Sequence, residues 1–158
     1  MEKTILIPID FNVECLNTLK LALRRNEDNL NTIVLMYTHV SSSSITDLLF
    51  SPQHKVLDAM RTKEFDDALA IIENRFERSI KHTKLRMFSG YNISAFNLFL
   101  QGNKVDEIYV PKAYGLNPPT GFDPLPLIQK CTLPVYEINW ESNSIVYPIH
   151  QLGPLFSN

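Results

Sequence analysis

Cysteine is scarce in this chain. Cys15 and Cys131 are the only two in 158 residues and no CxxC spacing joins them, which leaves no thiol-pair motif and fits a reducing, cytoplasmic setting. The four histidines, His39, His54, His82 and His150, never fall at i, i+4 or beside a cysteine pair, so no metal site is expected from spacing. No apolar run approaches the roughly 20 residues of a spanning helix, and "MEKTILIPID" has no cleavage-site pattern behind it. A membrane role is therefore not expected. A net charge of −2 supplies no basic face for a phosphate backbone, and nucleic acid is not expected as a partner. Also missing are GxSxG, HExxH, GxxxxGK[ST] and any cysteine–histidine signature, which removes the commonest motif-based grounds for a catalytic reading.

What is present is an ordinary globular composition, 44% hydrophobic and 20% charged, long enough for one domain with its own core. "TILIPI", Thr4 to Ile9, is a nearly continuous apolar run of the kind that marks a strand buried on both faces. Pro8 cannot donate to a ladder and is expected where pairing finishes. From Asn12, taken as the N-cap, Leu16, Leu19, Ala22 and Leu23 recur at helical spacing up to Arg24 and Arg25. "TIVLMYTHV", Thr32 to Val40, is a second strand, followed by a polar loop at Ser41 to Ser44. Ser51 as cap and Pro52 at the first helical position open a long helix expected to reach His82, with a charged outer face that a partner could read. "KLRMF", Lys84 to Phe88, is a third strand. A helix capped by Asn92 carries Ile93, Phe96, Phe99 and Leu100 and is expected to end in a left-handed Gly102. Strand four covers Asp106 to Val110, a short helix is placed on "PLIQKC", and Pro134 to Asn139 is strand five. This alternation predicts a doubly wound α/β fold with a mostly parallel sheet and helices on both faces.

Over Lys3 to Asn139 the order of elements, with "ILIPIDFN", "IVLMYTHV", "VDEIYV" and "CTLPVYEI", resembles the universal stress protein family. The resemblance implies a five-stranded parallel sheet in the order 3-2-1-4-5, with a crevice at the carboxyl ends of strands one and four where some members bind ATP. Carried over residue by residue, Pro8, Ile9 and Asp10 match the end of the family's first strand and Val40 the end of its second. A carboxylate such as Asp10 can accept from ribose hydroxyls; equally, it can cap the following helix as an Asx turn.

The family's nucleotide-binding loop resembles G, two residues, G, nine residues, then G and S or T, directly after strand four. Those positions are Pro111, Tyr114, Pro124 and Leu125. Glycines let backbone amides close on a phosphate, whereas the two prolines have no amide hydrogen and the other two side chains add bulk. Two readings of "VPKAYGLNPPTGFDPLP", Val110 to Pro126, stand side by side. Either Tyr114, Leu116, Phe122 and Leu125 fold inward and fill the crevice, or Tyr114 or Phe122 stacks on a planar ligand.

The expectation is a non-catalytic regulatory or scaffold protein related to the stress response, without tight ATP binding and without a cofactor. The alternative is a sensor for an adenine nucleotide, ATP or AMP, or for another small ligand. Residues 1–139 are read as the α/β domain and 140–158 as a tail, an extra strand or an arm reaching a second copy through "SIVYPI", Ser144 to Ile149. Val135, Tyr136 and Ile138 would leave an open sheet edge, and the resemblance implies a homodimer through strand five.

Overall fold

The computed structural model describes residues 1–40, 53–90, 92–141 and 145–146. The serine loop, the cap at Ser51 and Pro52, and most of Ser144 to Ile149 lie outside the described residues. In chain order the elements are β1 (Glu2–Ile9), a 3-10 turn (Val13–Cys15), α1 (Leu16–Arg25), β2 (Leu30–Thr38), α2 (Gln53–Met60), α3 (Lys63–Arg75) and β3 (Ile80–Phe88). They continue with α4 (Ile93–Gly102), β4 (Glu107–Pro111), α5 (Leu125–Lys130), β5 (Val135–Ile138) and β6 (Ile145–Val146). The sheet order is β3-β2-β1-β4-β5-β6, parallel from β3 to β5, with β6 antiparallel on β5. The expected 3-2-1-4-5 parallel sheet is thus present.

Strand periodicity sorts the core into two layers. Ile5, Ile7 and Ile9 of β1 and Ile33, Leu35 and Tyr37 of β2 join Leu16, Leu19 and Leu23 of α1, Leu57 of α2, and Phe65 and Leu69 of α3. The alternate residues, Leu6, Val34, Met36, Ile108 and Val110, join Phe96 and Leu100 of α4 and Ile128 of α5. Because β1 and β2 lie between neighbours and are covered on both faces, their sequences are apolar runs rather than alternating ones. Each fully buried leucine or isoleucine contributes roughly 1.5–3 kcal/mol.

Several expectations are corrected. The long helix is two: Thr62 stops α2 and caps α3, its Oγ1 accepting from the Phe65 amide at 3.1 Å. Glu64 and Asp66 in the first turn of α3 reinforce that start. The helix ends at Arg75, and Ile80 to His82 belong to β3, which pairs with Asn31 and Thr32 of β2. Asn12 makes no side-chain cap, and the 3-10 turn separates it from α1. Gly102 is not left-handed; the chain reverses at Lys104, whose φ is 56°. Pro8, by contrast, stands as expected where pairing finishes: it is the penultimate residue of β1, opposite Met36, past the end of the ladder to β4 at Leu6 and Ile108. The outer edge of β5 is partly covered by the chain itself, since Glu137 pairs with Val146 and Ile138 with Ile145.

Candidate functional site

The switch point of a doubly wound sheet, where connections leave in opposite directions from neighbouring strands, opens a crevice at the carboxyl ends. Here it lies between β1 and β4. Immediately after β1, Asp10 is 1% exposed, and Phe11 adopts a left-handed φ of 65°. That conformation is costly for a residue with a bulky side chain. It is held by the Phe11 ring, which packs 4.9 Å from Tyr37 and 5.0 Å from Phe65 between centroids. The turn brings the Asn12 amide to Asp10 Oδ1 at 3.0 Å, so this oxygen closes an Asx turn. The other oxygen accepts from the Tyr114 hydroxyl at 2.6 Å and the Asn117 amide at 3.1 Å.

The proline-rich segment after β4 is a strap that crosses the end of β1 and docks on the end of β2. Thr120 is its anchor. Its amide donates to the Tyr37 hydroxyl at 3.2 Å, its Oγ1 is 2.8 Å from that hydroxyl and 2.8 Å from His39 Nδ1, and its carbonyl accepts from the Val40 amide at 2.9 Å. Next along, the Phe122 amide donates to Thr38 Oγ1, which in turn donates to the Phe122 carbonyl. The approach is close enough that a Cβ on Gly121 would stand 1.9 Å from the Thr38 carbonyl oxygen. Glycine is required there for want of space, not for its dihedral freedom. The strap's side chains enter both layers: Tyr114 and Leu116 pack on the α1 side, Phe122 and Leu125 on the α4 side.

The amides of the strap are directed inward. Those of Asn117, Thr120, Gly121, Phe122 and Leu125 reach Asp10, Tyr37, the Pro118 carbonyl, Thr38 and Asp123, and the three prolines between them, Pro118, Pro119 and Pro124, have no amide hydrogen. A phosphate cradle consists of converging free amides; in this strap those five donors are already bonded to protein. Burial and the hydrogen bond to Asp10 push the Tyr114 phenol above its ordinary range, and burial does the same to the Cys15 thiol behind Asp10. Neither group is poised as a nucleophile near neutral pH.

Of the residues singled out from sequence, Pro8, Ile9 and Asp10 are buried at the end of β1, Val40 is exposed, and Tyr114 and Phe122 are half-buried. Asp10 and Tyr114 meet directly; Val40 and Phe122 meet only through the strap's backbone around Thr120. Tyr114 and Phe122 lie in opposite layers and do not form one stacking site. Sequence reasoning missed Phe11, Tyr37, Thr38, Asn117 and Thr120. The hydroxyls of Tyr37, Thr38 and Thr120 are the only signal among these, shared by many surface residues, and Phe11 and Asn117 offer none.

The sequence matches no family model and no curated protein. Among solved structures the chain is similar to universal stress protein UspA from Lactobacillus plantarum, at 16% identity and a TM-score of 0.55 over 87% of this chain and 97% of that one. A universal stress protein family member from Burkholderia pseudomallei gives 16% and 0.52, covering 86% and 95%. A universal stress protein in complex with cAMP gives 13% and 0.52, covering 87% and 97%. The chain has the fold of the universal stress proteins.

Proposed function

We propose that this protein is a non-catalytic regulatory or scaffold protein of the universal stress protein type, acting in the cytoplasm in a stress response, whose crevice is closed by its own strap and does not bind ATP tightly. The observation that carries this reading is the occupancy of Asp10. Its buried carboxylate, the group positioned to accept from a ribose, already accepts from Asn12, Tyr114 and Asn117. A triphosphate entering there would have to displace the strap, meet a carboxylate of like charge and find amides already bonded elsewhere. The similar protein in complex with cAMP supports the alternative of a nucleotide sensor on this fold, but Pro111, Tyr114, Pro124 and Leu125 argue against a shared phosphate loop. Among the described residues no helix is long and apolar enough to cross a membrane, and no group of three or more metal-ligating side chains converges.

Calorimetry with ATP, AMP and adenosine at physiological magnesium tests the reading. No heat of binding is expected from ATP. Micromolar ATP affinity, or ATP released from freshly purified protein, would overturn it; adenosine binding without ATP would replace it with a phosphate-excluding nucleoside site. We further propose a homodimer on the β5 side of the sheet. With β6 covering Glu137 and Ile138, the second copy would meet β6 or exchange it, and light scattering showing a monomer at high micromolar concentration would exclude both.

A further inference from the structure

Beside the strapped crevice, between the carboxyl ends of β4 and β5, lies a groove of about 450 Å³ lined by Lys112, Ala113, Tyr114, Asn139, Trp140 and Glu141. We propose that this groove binds a small aromatic zwitterion, a free aromatic amino acid or its close analogue. The volume falls within the roughly 300–1,000 Å³ of small-ligand clefts. Its aromatic wall is built: the Tyr114 and Trp140 rings lie 4.7 Å apart between centroids, inclined at 31°. Each is fixed by its polar tip, the Tyr114 hydroxyl donating to Asp10 at 2.6 Å and Trp140 Nε1 donating to Thr18 Oγ1 at 2.9 Å. Rings pinned in this way lose little further freedom on binding, which is the condition for stacking to yield affinity.

The charges select the ligand. Lys112 and Glu141 are both exposed, and among the described residues neither stands in an ion pair. Asn139 Oδ1 accepts from the Glu141 amide at 3.1 Å and holds that end of the groove in place. A purely anionic aromatic would meet Lys112 and be repelled by Glu141; a purely cationic one would meet the reverse. A ligand carrying both a carboxylate and an ammonium satisfies the two together, with its ring against Tyr114 and Trp140. Ala113 adds no bulk between them. The inference rests on the closed strap, which supplies Lys112, Ala113 and Tyr114 and holds the last on Asp10, but the groove lies beside the crevice rather than in it.

Trp140 is the only tryptophan in the chain, so its emission reports on the groove directly. Titration with L-phenylalanine is expected to give a saturable change. N-acetyl-L-phenylalanine, L-phenylalaninamide and L-leucine each delete one recognition element and are each expected to bind about tenfold more weakly, the size of one lost charged contact or stacked ring. Lys112→Ala, a change at an exposed position, is expected to weaken L-phenylalanine about tenfold and leave L-phenylalaninamide unchanged. The absence of a saturable response to L-phenylalanine, equal binding of L-leucine, or an unchanged affinity in Lys112→Ala would each overturn the proposal. ATP titrated in parallel tests the crevice separately.

Discussion

At the amino end of the sheet, Asn31 is fully buried and its Nδ2 donates to the carbonyls of Asn26, Asn29 and Ser79. At the carboxyl end, the equally buried Asp10 accepts from Asn12, Tyr114 and Asn117. Both tie loops together with one polar side chain, but the redundancy differs. The Asn26 carbonyl also accepts from the Asn29 amide, and the Ser79 carbonyl from the Asn31 amide, so losing the Asn31 side chain leaves those groups partnered. The Asn117 amide and the Tyr114 hydroxyl donate to Asp10, and nothing at the strap duplicates that acceptor. The amino end is insured and the carboxyl end is not. In an open α/β sheet the carboxyl end is where ligands enter; here a strap whose tie to Asp10 has no duplicate occupies it, and local opening of such segments costs less than global unfolding.

Gly121→Val should have the largest effect, because its Cβ would meet backbone rather than a flexible side chain. A loss of about 3 kcal/mol by urea denaturation is expected from overpacking together with the broken Thr38 and Thr120 bonds. A loss below about 0.5 kcal/mol, the scale of an ordinary surface change, would mean that the strap does not dock on β2. Asp10→Ala should follow at about 2 kcal/mol, since three donors in half-buried bonds, the Asn12 and Asn117 amides and the Tyr114 hydroxyl, lose their acceptor. Amide exchange at Asn117 and Thr120 should accelerate in this variant while that at Asn31 does not; equal acceleration at both ends would erase the distinction between them.

Asn31→Ala tests the other side of the comparison. About 1 kcal/mol is expected, less than for Asp10, because the Asn26 and Ser79 carbonyls keep backbone donors and Asn31 Oδ1 is itself buried without a partner among the described residues. A cost exceeding that of Asp10→Ala would show that backbone redundancy does not protect the amino end.

The same contrast sets what the sequence revealed. The parallel sheet with helices on both faces was legible, because burial on two faces writes itself into apolar runs such as "TILIPI" and "TIVLMYTHV"; the strand order came only with the family resemblance. The break at Thr62 was also written, in a capping threonine followed by acidic residues, but a continuous apolar stripe on either side concealed it. The strap was half legible. Its prolines announced the loss of amide donors, and Tyr114, Leu116, Phe122 and Leu125 do pack inward. Its docking on Tyr37, Thr38 and His39 was not, because those bonds join positions some 80 residues apart and follow from tertiary approach alone. Left-handed Phe11 was equally hidden, since no residue type at that position signals the conformation.

The smallest effect concerns pH and separates two phenols. Tyr109 donates to Glu107 at 3.0 Å near the amino end, and Tyr114 donates to Asp10 at the strap. Burial, together with the carboxylate each one faces, raises both above a tyrosine's ordinary value of about 10. A phenol whose folded value is raised contributes stability that is complete below about pH 10 and is lost as pH climbs toward the folded value, because the unfolded chain releases its proton first. Wild-type stability should therefore decline on the alkaline side, from about pH 10 upward. Tyr114→Phe removes one of the two contributions: it should cost about 1 kcal/mol at neutral pH for the missing hydrogen bond and show a shallower alkaline decline than wild type. Tyr109→Phe should flatten the decline as well, but without speeding exchange at Asn117. Faster exchange at Asn117 in Tyr114→Phe alone would assign that phenol to the strap, whereas an alkaline profile unchanged by Tyr114→Phe would mean that its hydroxyl ionises as freely in the folded chain as in the unfolded one.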